Sequence, residues 1–136
     1  MKTNQKGAIA EQKVILKAAE LGLQVSKPIF AESRYDLVIE KNGILHKAQV
    51  KYCDSQINEA YSVSLTKHSG GYNRKLYRYS SAEIDCVLVY LPKEEKILWL
   101  PPCLWDNKSS VSLRISPSKN GQKKGINLVD DFIWLN

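Results

Sequence analysis

Asn42-Gly43 stands between two strand-like runs, residues 35–41 and 44–51, and forms the strongest short hairpin signal in the chain. A two-residue type I′ turn there pairs Lys41 with Ile44, and the register follows outward: Glu40 meets Leu45, Val38 meets Lys47, and Asp36 meets Gln49. Leu37, Ile39, Ile44, Ala48 and Val50 then share one face, apolar apart from His46, while Asp36, Gln49 and Lys51 share the other. A slip of one residue would bury the polar set in place of the apolar one, so the register is well specified.

The polar face is compact. Directly opposed side chains have Cβ atoms about 5 Å apart, and long side chains bridge the diagonal of about 7–8 Å from Asp36 to Lys51. A third element adds to the set. From about residue 4 to 21, Ile9, Val14, Ile15, Leu16, Ala18, Ala19 and Leu21 recur at helical spacing, and Gly22 follows as a C′ residue. Glu11 lies three or four residues from Gly7, Ala8 and Ile15, on the stripe expected to face the sheet. Glu20, beside Lys17, reads as solvated. Polar groups in otherwise apolar stretches are costly to bury, so Glu11, Asp36, Gln49 and Lys51 suggest a site. The residues alone leave a second reading open, a cross-strand ion pair on a solvated sheet face.

The ordered set resembles the PD-(D/E)XK nuclease superfamily: Gly7-Ala8-Ile9-Ala10-Glu11 on a helix, Tyr35-Asp36-Leu37-Val38 at a strand, Gln49-Val50-Lys51 on the next, then the apolar run from Ile84-Asp85 to Tyr90. Within it the chain is most like the homing endonuclease of a cyanobacterial group I intron. The resemblance covers most of the first hundred residues. Tyr35 stands where the family has Pro, and Gln49 stands where a second acidic residue is usual. A Gln oxygen can ligate a hard cation without bringing charge, so the site holds one negative charge fewer, which Glu11 can restore.

The resemblance implies a restriction-endonuclease-like α/β (α+β) fold, a central mixed sheet with flanking helices, in a single domain spanning residues 1–136. It implies a Mg²⁺-dependent (or other divalent cation) site-specific DNA endonuclease, intron-encoded and making a double-strand break in a long target. Asp36, Gln49 and the Val50 carbonyl would be metal ligands, Lys51 would orient or deprotonate the attacking water, and Glu11 would act through water or a second ion. It also implies a homo-oligomer, a tetramer built as a dimer of dimers. Two rivals share these residues: a Holliday-junction resolvase, and a non-catalytic DNA-binding module.

Twenty basic against fourteen acidic residues give a net charge of +6, which favours polyanionic partners such as double-stranded DNA. Its distribution is informative. Residues 67–81 contain Lys67, Tyr72, Asn73, Arg74, Lys75, Tyr77, Arg78 and Tyr79 without an acid, a composition suited to phosphate and base contacts. Residues 108–124, with Arg114, Lys119, Lys123 and Lys124, are a second acid-free candidate surface. A solvated basic loop is the alternative for both. Three scattered cysteines, Cys53, Cys86 and Cys103, suggest neither a disulfide framework nor a zinc site, and with no signal or membrane-length segment a soluble cytoplasmic protein is expected. Only His46 and His68 could serve a histidine-metal site, and no Gly-rich phosphate loop or GxSxG turn is present.

Further strands are expected at 61–65, 84–91, 96–100 and 111–115, the second buried on both faces. Residues 128–135 space their apolar side chains loosely as a helix, closing the core or making a subunit contact.

Overall fold

A computed structural model describes residues 1–68 and 75–135, the side chain of His68 excepted. The first helix, α1 (Thr3–Glu20), buries Ala10, Val14 and Ala18, four residues apart and therefore on one stripe. Gly7 and Ala8, expected on that stripe, are exposed, so the buried line lies slightly further round the helix. The helix stops where anticipated: Gly22 takes φ +74°, its amide donates to Ala19 at 3.0 Å, and the Leu23 amide donates to Ala18 at 2.9 Å, a Schellman closure.

The strands that follow are β1 (Gln24–Ser26), β2 (Leu37–Lys41), β3 (Ile44–Tyr52), β4 (Gln56–Ile57), β5 (Ala60–Ser64), β6 (Thr66–His68), β7 (Leu76–Arg78), β8 (Cys86–Leu91), β9 (Lys96–Leu100) and β10 (Ser110–Arg114). A mixed central sheet runs in the order β1-β2-β3-β8-β9. The β2–β3 hairpin has the expected register from Lys41–Ile44 to Leu37–Ala48, and Asn42 and Gly43 both take positive φ, as a type I′ turn requires. Strand β8 lies parallel to β3, and all six of its residues are buried.

That burial follows from two layers. Leu37, Ile39, Ala48, Val50, Cys86, Leu88 and Tyr90 pack under α1. On the other face Val87, Val89 and Leu91 pack with Tyr61, Val63, Leu65, Val111 and Leu113, which come largely from the small sheet β10-β5-β4. Trp105, in the short helix α2 (Pro102–Trp105), is fully enclosed in this second core and donates its indole N–H to the Leu100 carbonyl at 2.9 Å. The three cysteines are free thiols. No helix among the described residues is long and apolar enough to cross a membrane.

The last segment departs from the helical expectation. After a 3₁₀ turn at Val129–Asp131, Ile133 bridges Leu98, the Phe132 carbonyl accepts from the Trp99 amide at 2.8 Å, and the Trp134 amide donates to Ile97 at 2.9 Å. Backbone groups on the outer edge of β9 capture the chain where a helix would leave them unpaired. Trp134 is thereby buried against Trp99, with ring centroids 5.4 Å apart, and closes the chain's own core.

Trp134→Ala should therefore cost about 3–5 kcal/mol in urea-induced unfolding, the range for deleting a large buried aromatic. A cost below about 1 kcal/mol would show that the ring contributes little to the core.

Candidate active site

The site forms where β2 stops and β3 continues. The ladder ends at Leu37–Ala48, one pair short of the expected opposition of Asp36 and Gln49. The Asp36 amide donates to the Ala48 carbonyl at 2.8 Å, and its carboxylate Oδ2 accepts the Val50 amide at 2.9 Å. The carboxylate thus supplies an acceptor where the ended strand does not. A strand residue directs its N–H and C=O to the same edge, so the Val50 carbonyl belongs to the Asp36 edge too.

Gln49 and Lys51 are two residues apart on β3, beside Val87 and Val89 in the parallel register. They lie on the second-core face, opposite the face that α1 covers. Gln49 is 6% exposed, and its amide Oε1 is buried without a hydrogen-bond partner among the described residues. Glu11 approaches from α1 and shares with Asp36 a cleft of about 190 Å³, walled by Lys27, Phe30 and Tyr35. Its Oε1 is 3.1 Å from Lys27 Nζ but is not aligned as a hydrogen bond. Lys27 is mostly solvent-exposed, so this pair holds Glu11 weakly.

The electrostatics are those of a strained site. Burial raises the Asp36 pKa, opposed by the Val50 amide; Glu11 raises it further, while Lys67 and Lys51 lower it. Burial lowers the Lys51 pKa, opposed by Asp36 and reinforced by Lys67. Lys67, on β6, donates to the Ser33 carbonyl at 3.1 Å and so acts electrostatically inside the site. Its place in the sequence suggests only a DNA contact.

The residues present fit a hard divalent cation. An orphaned buried acceptor costs about 1–3 kcal/mol, and the Gln49 oxygen, like the ion-paired Glu11 carboxylate, is the kind of ligand Mg²⁺ takes. Among the described residues no three His, Cys, Asp or Glu side chains gather as a metal cage.

The basic residues are less uniform than their sequence pattern. Tyr79 is 3% exposed and belongs to the core, because the chain beyond β7 turns inward there. Tyr77 is partly buried under the Arg34 guanidinium, 4.2 Å from its ring centroid. Lys75 and Arg78 are exposed, and Arg78 Nη1 donates to the Asn107 carbonyl at 3.3 Å. Tyr72, Asn73 and Arg74 lie outside the described residues. Arg114, partly buried, donates to Ser116 at 3.1 Å, and Lys119, Lys123 and Lys124 are exposed. Arg34, which also pairs with Glu83 at 2.9 Å, carries no signal in the sequence that would place it near the site.

A family model described as PD-(D/E)XK endonuclease matches residues 1–135. The chain belongs to that family. Among solved structures, the bacterial homing endonuclease I-Ssp6803I superposes on this endonuclease with a TM-score of 0.76 and 26% sequence identity, covering 98% of this chain and 89% of that one. No protein with a curated description matches.

The raised Asp36 pKa carries a sign that can be measured. Because the folded chain holds this proton more tightly than the unfolded chain, stability is greatest below both values and is lost as pH rises through the window between the unfolded pKa and the higher folded one. At neutral pH the ionised, half-buried carboxylate is a net burden. Asp36→Asn should therefore raise the melting temperature of the metal-free endonuclease at pH 7, with a smaller gain at pH 3; a decrease at pH 7 would contradict the desolvated site.

Proposed function

We propose that this chain is a Mg²⁺-dependent, site-specific DNA endonuclease that serves intron homing, with residues 1–136 as one catalytic domain working in a dimer of dimers. The observation that carries the reading is the Asp36 carboxylate fixed on the Val50 amide at the strand edge, with Gln49 and Lys51 on β3 and Glu11 in the adjoining cleft. The family membership supports an endonuclease, and the homing role extends what is said of I-Ssp6803I to this chain.

Asp36, the Gln49 amide oxygen and the Val50 carbonyl would hold the cation, with Glu11 reaching it directly or through water. When bound, Mg²⁺ supplies Lewis-acid stabilisation of the phosphate and a more acidic water. Lys51 holds the attacking water and the negative charge developing on the phosphate oxygens, and Lys67 adds a second positive charge on the same side. The lowered pKa of Lys51 leaves more of it in the neutral, proton-accepting form than an exposed lysine has at the same pH. Each chain carries one such site, so cutting both strands calls for an even-numbered assembly. Sedimentation as a monomer, free and on DNA, would remove that part of the reading.

On a plasmid carrying the cut site, Asp36→Asn and Lys51→Ala should each abolish Mg²⁺-dependent cleavage with DNA affinity within about threefold, since both act on the chemical step. Gln49→Glu keeps an oxygen ligand and should stay active, whereas Gln49→Ala should be severely impaired. Full activity in both Asp36→Asn and Lys51→Ala would place catalysis elsewhere.

Binding is tested separately. Neutralising Lys119, Lys123 and Lys124 should flatten the dependence of log affinity on log salt by about 0.9 for each phosphate that the protein no longer neutralises. An unchanged slope would take that segment out of the interface.

A further inference from the structure

Lys51 lies near an unusual partner. Its Nζ sits 4.9 Å above the centroid of the Tyr79 ring, and among the described residues it makes no ion pair with a carboxylate. Tyr79 is 28 residues away in sequence and reaches β3 from the segment beyond β7. It is 3% exposed, packs within the second core, and its carbonyl is fixed by the Asn107 amide at 2.9 Å. Its hydroxyl is buried with no hydrogen-bond partner among the described residues. What lies under the Lys51 ammonium is the face of the ring.

A half-buried ammonium needs compensation for the solvent it gives up. Asp36 supplies part of it without a direct ion pair, whereas a carboxylate in contact would tie up N–H groups and fix the lysine as a structural ion pair. A ring face attracts the cation through its quadrupole and consumes none of the three N–H donors. We infer that Tyr79 is a positioning residue for catalysis: its ring seats the Lys51 ammonium at the strand edge while leaving its donors for water and the scissile phosphate. The inference rests on the endonuclease reading of the site. It also accounts for an aromatic in the basic segment that faces the core and not the solvent.

The experiment compares Tyr79→Phe, which keeps the ring, with Tyr79→Leu, which keeps the bulk and removes it. In single-turnover cleavage of the same plasmid, Tyr79→Phe should stay within about threefold of the unsubstituted enzyme. Tyr79→Leu should slow the rate about tenfold or more with DNA affinity unchanged. Equal slowing in both variants would assign the effect to the hydroxyl, and an undiminished rate in Tyr79→Leu would make the ring dispensable; either overturns the inference. A second readout needs neither cleavage nor a foldable Leu variant. In NMR spectra of the DNA-free protein, the Lys51 Hε resonance, assigned by its disappearance in Lys51→Arg, should be shifted upfield by the ring current, and remain so in Tyr79→Phe. A random-coil Hε shift would refute the seat. Absence of cleavage by the unsubstituted enzyme, with the upfield shift present, would count against the endonuclease reading and leave the seat standing.

Discussion

The structure depends on where one antiparallel pairing stops. Strand β2 gives out at Leu37 while β3 runs on to Tyr52, supported from its other side by the parallel strand β8. Past that point the free edge of β3 is served by a carboxylate and not by a backbone carbonyl. The hairpin turn sets the register, the apolar face fixes it against α1, and Asp36 falls at the strand end as a consequence. Its position is thus determined by the core beneath it, which gives a polar site the rigidity of a sheet.

The arrangement has an energetic cost. Asp36 and Lys51 are each pushed towards their neutral forms by burial, and the Gln49 oxygen is buried without a partner among the described residues. Gln49 in place of an acid spares the fold a buried negative charge beside the partly buried Asp36 and Glu11. With Lys51 and Lys67 both acting on Asp36, this site is less negative than one carrying the usual second acid, and so better matched to a phosphodiester. The stability is recovered on the two faces of β8, whose six residues are all enclosed.

Much of this was legible in the sequence because periodicity and turn chemistry are local signals. The Asn42-Gly43 turn, the β2–β3 register, the Gly22 stop and the doubly buried run of β8 all follow from residues close in the chain. What was not legible depends on long-range placement. Tyr79 sits in a run of basic and aromatic residues that reads as a solvent-facing surface, and only the packing of the second core turns it inward. Lys67 looks like one more DNA-facing cation, but β6 brings it to the site. The spacing of residues 128–135 suits a helix about as well as an edge pairing, and the unpaired edge of β9 decides between them. The one-residue end of the ladder at Asp36 could not be read either, since counting outward from a turn says nothing about where pairing ceases.

The central claim is that Asp36, Gln49 and the Val50 carbonyl form one divalent-cation site at this strand edge. Crystals soaked in Mn²⁺ and measured at the manganese absorption edge test it most directly. The account predicts an anomalous peak between the Asp36 carboxylate and the Gln49 amide oxygen, absent in crystals of Asp36→Asn. A peak elsewhere on the chain with none at this edge, or an undiminished peak in Asp36→Asn, would contradict it.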